Sequence, residues 1–354
     1  IPTMGRAERF PEIFEYLIKL SIERPITLFI DEFQEFFKVN KSVYSDMQRI
    51  WDMYHTKAHI NLIVCGSIFS MMTKIFKDKK EPLYNRQTRF MSIKPFTPAV
   101  LKEIMAEYNP NYTAEDLLAL YSFTGGVAKY VQLLVDVGAT TKTKMLNHII
   151  KADSVFLGEG KAILIEEFGK DYGVYFSILS AIARGKTLRS EIEQIVGREI
   201  GGYLTKLEKE YEVITKNQPI FEKSSTKNVR YTIEDNFFTF WFRFIYKYNY
   251  MLEIENYDAV KTIINRDYET FSGKMLERYF KRVLMESKAY TRIGSWWDRK
   301  GENEIDIVAE NELNDEAVFI EVKRKEDNFD ADALNEKVDV FTRATGKFKD
   351  YAVS

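Results

Sequence analysis

A chain of 354 residues, 45% of them hydrophobic, holds enough apolar material for two or three packed domains, which excludes a disordered polypeptide. Its 51 lysines and arginines against 53 acids leave a formal net charge of -2, which excludes a wholly basic nucleic-acid binder but not a local basic face. The single cysteine, Cys65, excludes an internal disulfide and points to a reducing cytoplasm. No run of about 18 apolar residues is present, so no membrane-spanning helix is expected.

Phe10, Ile13, Tyr16, Leu17 and Leu20 recur at helical spacing, and Pro25 ends that helix. Residues 26–30 are apolar except for Thr27, which suits a central strand of a parallel sheet buried on both faces. Residues 46–55 read as a helix, and 60–65 as a second strand ending at Gly66 and Ser67. Strand, helix, strand is the grammar of an α/β domain. Helices over 95–105, 114–123, 127–137 and 145–156 form a helical lid. Helices over 175–183, 188–196 and 200–210, then a hairpin over 211–216 and 229–233, describe a winged helix-turn-helix. The segment 237–250 is densely aromatic. Arg243 and Lys247 within it argue against a membrane span, and packing between domains accounts for it better than base stacking does. A helix over 268–285 and strands over 303–309 and 317–322 follow.

The first strand delivers two acids, Asp31 and Glu32, at its C-terminal edge, where ligands bind in open α/β sheets. Asp31 is placed to hold Mg²⁺ through water, and Glu32 to orient and deprotonate an attacking water. A buried strand followed by a solvated acidic turn has the same pattern without chemistry. Pro82-Leu-Tyr-Asn-Arg86-Gln-Thr-Arg89 is a basic turn in which Arg86, ahead of Arg89, is either an arginine finger or a surface charge. His55 and His59 share a helix face, yet no cysteine or matched acid accompanies them as zinc requires. Arg184-Gly-Lys-Thr187 imitates a phosphate loop, but Ser180 replaces the glycine that such a loop needs, and a helix rather than a strand precedes it.

Asp306 sits among apolar neighbours on one strand, and Glu321-Val-Lys323 on the next puts acid and lysine on one face. Glu277 lies on a helix able to pack over that sheet. A helix Glu, a strand Asp and a Glu-x-Lys form the PD-(D/E)xK nuclease constellation, with Glu277, Asp306 and Glu321 binding Mg²⁺ and Lys323 acting on the nucleophilic water. Charged residues on solvated strands produce the same pattern by chance. Arg198, Lys206 and Lys209 in or beside the third winged-helix segment, and Lys223, Lys227 and Arg230 in the wing, are either phosphate contacts or a solvated surface.

Phe29-Ile-Asp-Glu-Phe-Gln34, Gly66-Ser67, Pro82-Leu-Tyr84 with Arg86, and Pro95-Phe96 together resemble the archaeal-type ATPase family, in the STAND-like branch of AAA+ P-loop proteins. Gly125-Gly-Val-Ala-Lys-Tyr130 resembles the family's Gly-Gly-x-Pro-x-Tyr signature, with Ala128 in place of Pro. The resemblance implies ATP and Mg²⁺ as ligands, Asp31 and Glu32 as the Walker B pair, Ser67 as the γ-phosphate sensor and Arg86 as a nucleotide contact. It places the Walker A loop upstream of Ile1, outside this chain. The segment 231–244, Ile293-Gly-Ser-Trp-Trp297 and Asn303-Glu-Ile-Asp306 resemble the domain of formerly unknown function that is fused after this ATPase core.

The expected architecture is α/β. It comprises a partial AAA+ core over 1–100, a helical lid over 101–165, a winged helix-turn-helix over 166–235 and a restriction-endonuclease-like domain over 236–354. The expected function is an ATP-driven switch acting on DNA. The alternatives are a STAND-type signalling ATPase with protein-interaction scaffolds, and an ATPase-gated, metal-dependent DNA nuclease. An oligomer is compatible with each.

Overall fold

The computed structural model describes residues 8–223, 226–348 and 352–353, and the chain divides into two units, Ile1–Ile93 and Lys94–Ser354. In the first, helix α1 (Phe10–Leu20) buries Phe14 and Ile18, one turn apart on its apolar face. Strand β1 (Ile26–Ile30), α2 (Phe36–Val39), α3 (Ser42–Tyr54), β2 (Ile60–Val64) and α4 (Phe69–Lys77) follow. β1 and β2 are parallel, with Ile26 opposite Ile60 and Ile30 opposite Val64, and α3 lies in the crossover that such a pair requires. Leu28, Ile30, Leu62 and Val64 pack on the core around Phe14, Phe33 and Ile50. The strands are not buried on both faces, however. The pleat turns Phe29 and its cross-strand neighbour Ile63 the other way, and they are 59% and 42% exposed. Nor is β1 central among the described residues, since β2 is its one strand neighbour.

The second unit begins with α5 (Pro98–Tyr108), opened by Pro98 behind the Thr97 cap. Helix α6 (Ala114–Thr124) is entered through a Thr113/Asp116 capping box and closed by Gly125 at φ 62. α7 (Ala128–Val135), α8 (Lys142–Ile149) and α9 (Val155–Phe168) continue. The single helix expected over 145–156 is two, because Ile150 leaves helical geometry and Asp153 takes φ 56. Then come α10 (Tyr172–Ala183), α11 (Arg189–Val196), α12 (Gly201–Lys209) and the antiparallel pair β3 (Ile214–Asn217) and β4 (Arg230–Ile233). The phosphate-loop imitation at 184–187 is the turn between α10 and α11, where the Thr187 carbonyl accepts from the Tyr231 amide at 2.8 Å.

The aromatic segment becomes α13 (Asn236–Phe240), a π-helical turn at Trp241–Tyr246 and α14 (Asn249–Glu253). It is core: Phe237, Phe240, Phe242 and Phe244 are fully buried, and the Trp241 indole N–H donates to the Leu157 carbonyl at 3.1 Å. Any side chain at Gly160 would collide with the Trp241 ring. The long α15 (Tyr257–Ser287) leads into β5 (Arg292–Trp297), β6 (Glu304–Asn311) and β7 (Glu316–Ile320), which are antiparallel in that order. α16 (Ala331–Thr345) then returns the chain to β8 (Ala352–Val353), parallel to β7. Phe341 of α16 fills the core beneath this sheet with Trp296, Val308 and Phe319. Ile220 and Phe221, from the β3–β4 connection, pack into the same core.

Candidate active sites

Two clusters of the expected residues form. At the C-terminal end of β1, Glu32 adopts φ 47, a left-handed conformation uncommon for a residue with a side chain. There its carboxylate accepts from the Ser67 hydroxyl at 2.9 Å and from the Gln34 side-chain amide. Asp31 accepts from the Cys65 thiol at 2.7 Å and from the Glu32 amide at 2.9 Å. The Gln34 and then the Ser67 hydrogen bonds hold the Glu32 carboxyl below its usual range. The Cys65 thiol and the Glu32 amide do the same for Asp31. Both acids are therefore ionised at neutral pH.

Gln34 is fully buried, and its Oε1 has no hydrogen-bond partner. Gly66 makes room for it, since a Cβ at that position would collide with Oε1. Local spacing does not mark Gln34 as functional; only its place beside Glu32 and Ser67 does. Arg86, by contrast, is not brought to these acids. Its guanidinium meets Asp52 in two parallel bonds of 2.8 and 2.7 Å and donates to the Pro82 and Tyr84 carbonyls, which ties the basic turn to α3. Arg89 is exposed. His55 stacks on Trp51 and bonds to its carbonyl rather than pairing with His59.

The second cluster lies at the end of β7. Asp306 on β6 accepts from the Val322 amide at 2.8 Å. Glu321 and Lys323 lie just past the end of the strand, not within it, and their side chains meet at 2.6 Å. The second Glu321 oxygen meets Lys337 of α16 at 2.7 Å. Glu277 comes from α15 with Lys274 at 3.0 Å. Burial raises the Glu277 carboxyl, and the Asp306 charge adds to that. Burial likewise raises Asp306, with Glu321 adding. Burial works against Glu321 too, but hydrogen bonds from Lys323 and Lys337 win and keep its carboxyl low. Lys323 is raised by its Glu321 hydrogen bond, with the Asp306 and Glu277 charges contributing. The four expected residues thus share one electrostatic neighbourhood, together with Lys274, Glu304 and Lys337, which the sequence reading did not include. Among the described residues, no group of three His, Cys, Asp or Glu side chains is disposed to hold a metal ion.

The basic residues divide. Arg198, Lys206 and Lys209 are exposed, as are Lys223 and Lys227. Arg230 is committed: it pairs with Glu304 at 2.9 Å and lies 4.5 Å over the Trp297 ring. Asn228 and Trp297 are joined by a 2.9 Å bond from the indole N–H, and the Ile220 amide donates to the Ser295 carbonyl. The β3–β4 connection is therefore docked on β5 rather than free.

Residues 7–134 match the model of a family described as an ATPase domain predominantly from Archaea. Residues 241–336 match one described as archaeal and bacterial proteins of unknown function. The uncharacterized protein MJECL04 of Methanocaldococcus jannaschii is 33% identical over 335 residues, which cover 92% of this chain and 72% of that protein. The chain belongs to this archaeal ATPase family. Within the archaeal ATPase, the ATPase-domain match runs from α1 through most of α7 and so includes α5 and α6 of the second unit. Another uncharacterized protein of the same organism, MJ0424, is 34% identical over 56 residues, 16% of this chain and 54% of that one. Among solved structures, the Walker-type ATPase PABY2304 of Pyrococcus abyssi aligns with TM-score 0.48 and 20% identity, over 66% of this chain and 68% of that one. Among the described residues, no helix is long and apolar enough to cross a membrane.

Proposed function

We propose that this archaeal ATPase hydrolyses ATP at the C-terminal edge of β1 and uses the cycle as a switch acting on DNA. The observation that carries the first half is the Glu32 carboxylate, ionised and aimed by Ser67 and Gln34 beside an ionised Asp31. The carboxylates of Asp31 and Glu32 and the hydroxyl of Ser67 are hard oxygen donors, which fits Mg²⁺. Asp31 would hold the ion through water, and the ion when bound would supply neutralisation of the charge developing on the phosphates. Glu32 orients the attacking water and takes its proton, while Ser67 senses the γ-phosphate. Arg86 enters as a nucleotide contact once it exchanges Asp52 for phosphate oxygens. ATP use and a lone free thiol suit the cytoplasm.

For the second half, α10–α12 with β3 and β4 act as a winged helix-turn-helix, within the division at 100, 165 and 235 read from the sequence. Docking of the Arg230 side of the wing leaves the exposed Arg198, Lys206 and Lys209 as the phosphate-contacting face. Replacing Lys206 and Lys209 together by Glu is expected to weaken duplex DNA binding by about tenfold at low salt and to flatten its salt dependence. Arg230→Ala is expected to leave it nearly unchanged. Fluorescence anisotropy at several salt concentrations decides, and the opposite ranking rules this face out.

The C-terminal cluster keeps the residue types of a PD-(D/E)xK site, but Lys274 on Glu277, and Lys323 and Lys337 on Glu321, leave its carboxylates not disposed to hold an ion as they stand. Glu277, Asp306 and Glu321 would hold Mg²⁺ only with those lysines displaced, and Lys323 would then lie beside the nucleophilic water. Metal-dependent DNA cleavage is expected from the full-length protein and is expected to be lost in both Asp306→Ala and Lys323→Ala. Cleavage that survives both comes from elsewhere. The scaffold reading has an observation of its own: lysines already occupy Glu277 and both oxygens of Glu321. Absence of both cleavage and Mn²⁺ binding selects it.

A further inference from the structure

Arg324 directly follows Lys323, and two helices hold its guanidinium. One nitrogen donates to the Ser272 hydroxyl of α15, and the other to Glu115 of α6 at 2.6 Å. The other Glu115 oxygen meets Lys142 at 3.2 Å. Both cations lie over the face of Tyr268, Lys142 at 4.6 Å and Arg324 at 5.4 Å from its centre. Tyr268 is itself buried, with its phenol oxygen unpartnered. The Arg324 side chain is only 20% exposed and that of Glu115 33%, so water and salt screen this pair less than a surface pair. Next along the chain, Lys325 pairs with Glu269 of α15 at 3.0 Å.

Glu115 lies inside the region that matches the ATPase domain, and Arg324 inside the region of unknown function. Adjacent Cα atoms are about 3.8 Å apart, so Arg324 cannot move far without Lys323 and the Val322 amide moving too. That amide is the Asp306 partner.

We infer that Arg324 is a positioning residue through which helix α6 of the ATPase domain sets Glu321 and Lys323 against Asp306 and Glu277. The inference rests on reading that cluster as a site. A shift of α6 withdraws Glu115 and leaves the guanidinium one charged partner short. The segment from 321 to 325 then relaxes away from β6. Whatever moves α6 therefore resets the C-terminal cluster.

The test reads Lys323 directly. The full-length protein is acetylated briefly with acetic anhydride, and labelling of Lys323 is measured by mass spectrometry relative to the exposed Lys300. Glu115→Gln and Arg324→Ala are each expected to raise relative Lys323 labelling about fivefold, as loss of a partly buried ion pair allows. The charge swap, Glu115→Arg with Arg324→Glu, is expected to restore it. If Arg324→Ala fails to fold, Glu115→Gln carries the test, since it leaves every residue of the cluster in place. Unchanged labelling in Glu115→Gln, or elevated labelling that persists in the swap, overturns the link. A Mn²⁺ titration separates the two readings. Coupled labelling without Mn²⁺ binding upholds the link and removes the metal site. Mn²⁺ binding that Asp306→Ala abolishes, with labelling unchanged, keeps the site and removes the link.

Discussion

Replacing Glu32 with Gln is expected to leave ATP affinity within about twofold and to cut steady-state hydrolysis by about a hundredfold or more, the range for loss of a positioned general base. The charge on Glu32 is what the site maintains: two side-chain donors hold the carboxyl low, and the left-handed backbone at 32 aims it. A glutamine there keeps the size and still accepts from Ser67, so binding persists. It cannot take the proton from water, so turnover falls. Phosphate release and equilibrium nucleotide binding, measured on the full-length protein, give the comparison. Turnover equal to that of the parent removes Glu32 from the chemistry.

Phe341→Ala carries the largest expected loss of stability. Phe341 is fully buried and is surrounded by the rings of Trp296, Phe319, Phe348 and Phe221, with centroids 5.3 to 6.2 Å away. Truncating such a ring typically costs about 3–5 kcal/mol, through lost burial and the cavity left behind. Because Phe221 belongs to the β3–β4 connection, the loss is expected to loosen that connection together with the sheet. Hydrogen exchange resolved by peptide is the measurement, with protection falling in 292–320 and in 214–221 together. Loss confined to 292–320 shows that the connection does not depend on this core, and unchanged protection throughout shows that the ring contributes little.

Elements whose signals are local are legible in the chain. β1 and β2 are legible as apolar runs, the first bounded by Pro25 and Asp31, the second ending before Gly66. α6 is legible from the Thr113 cap to Gly125, and the pairing of Asp31 with Glu32 from their place after a strand. Asp306 was readable from its place on a strand among apolar neighbours, whereas the alternation expected for Glu321 and Lys323 does not apply, because both lie past the end of β7 and meet through their own ion pair. The rest depends on contacts made in the folded molecule, because the deciding partner lies far along the chain. The open faces of Phe29 and Ile63 depend on what the sheet packs against, not on the run itself. Arg230 and Arg86 read as basic residues available to phosphate, yet Glu304 and Asp52 hold them. β5 lacks a strong local period, and the core built around Phe341 decides it, whereas α16 carries the helical spacing Leu334, Val338 and Phe341. Lys337 and Lys274 reach the C-terminal cluster from α16 and α15, and Glu115 of α6 reaches the adjacent Arg324, and no spacing in the sequence records that convergence. Hydrophobic period is a property of neighbours in the chain, whereas charge pairing is settled by neighbours in space.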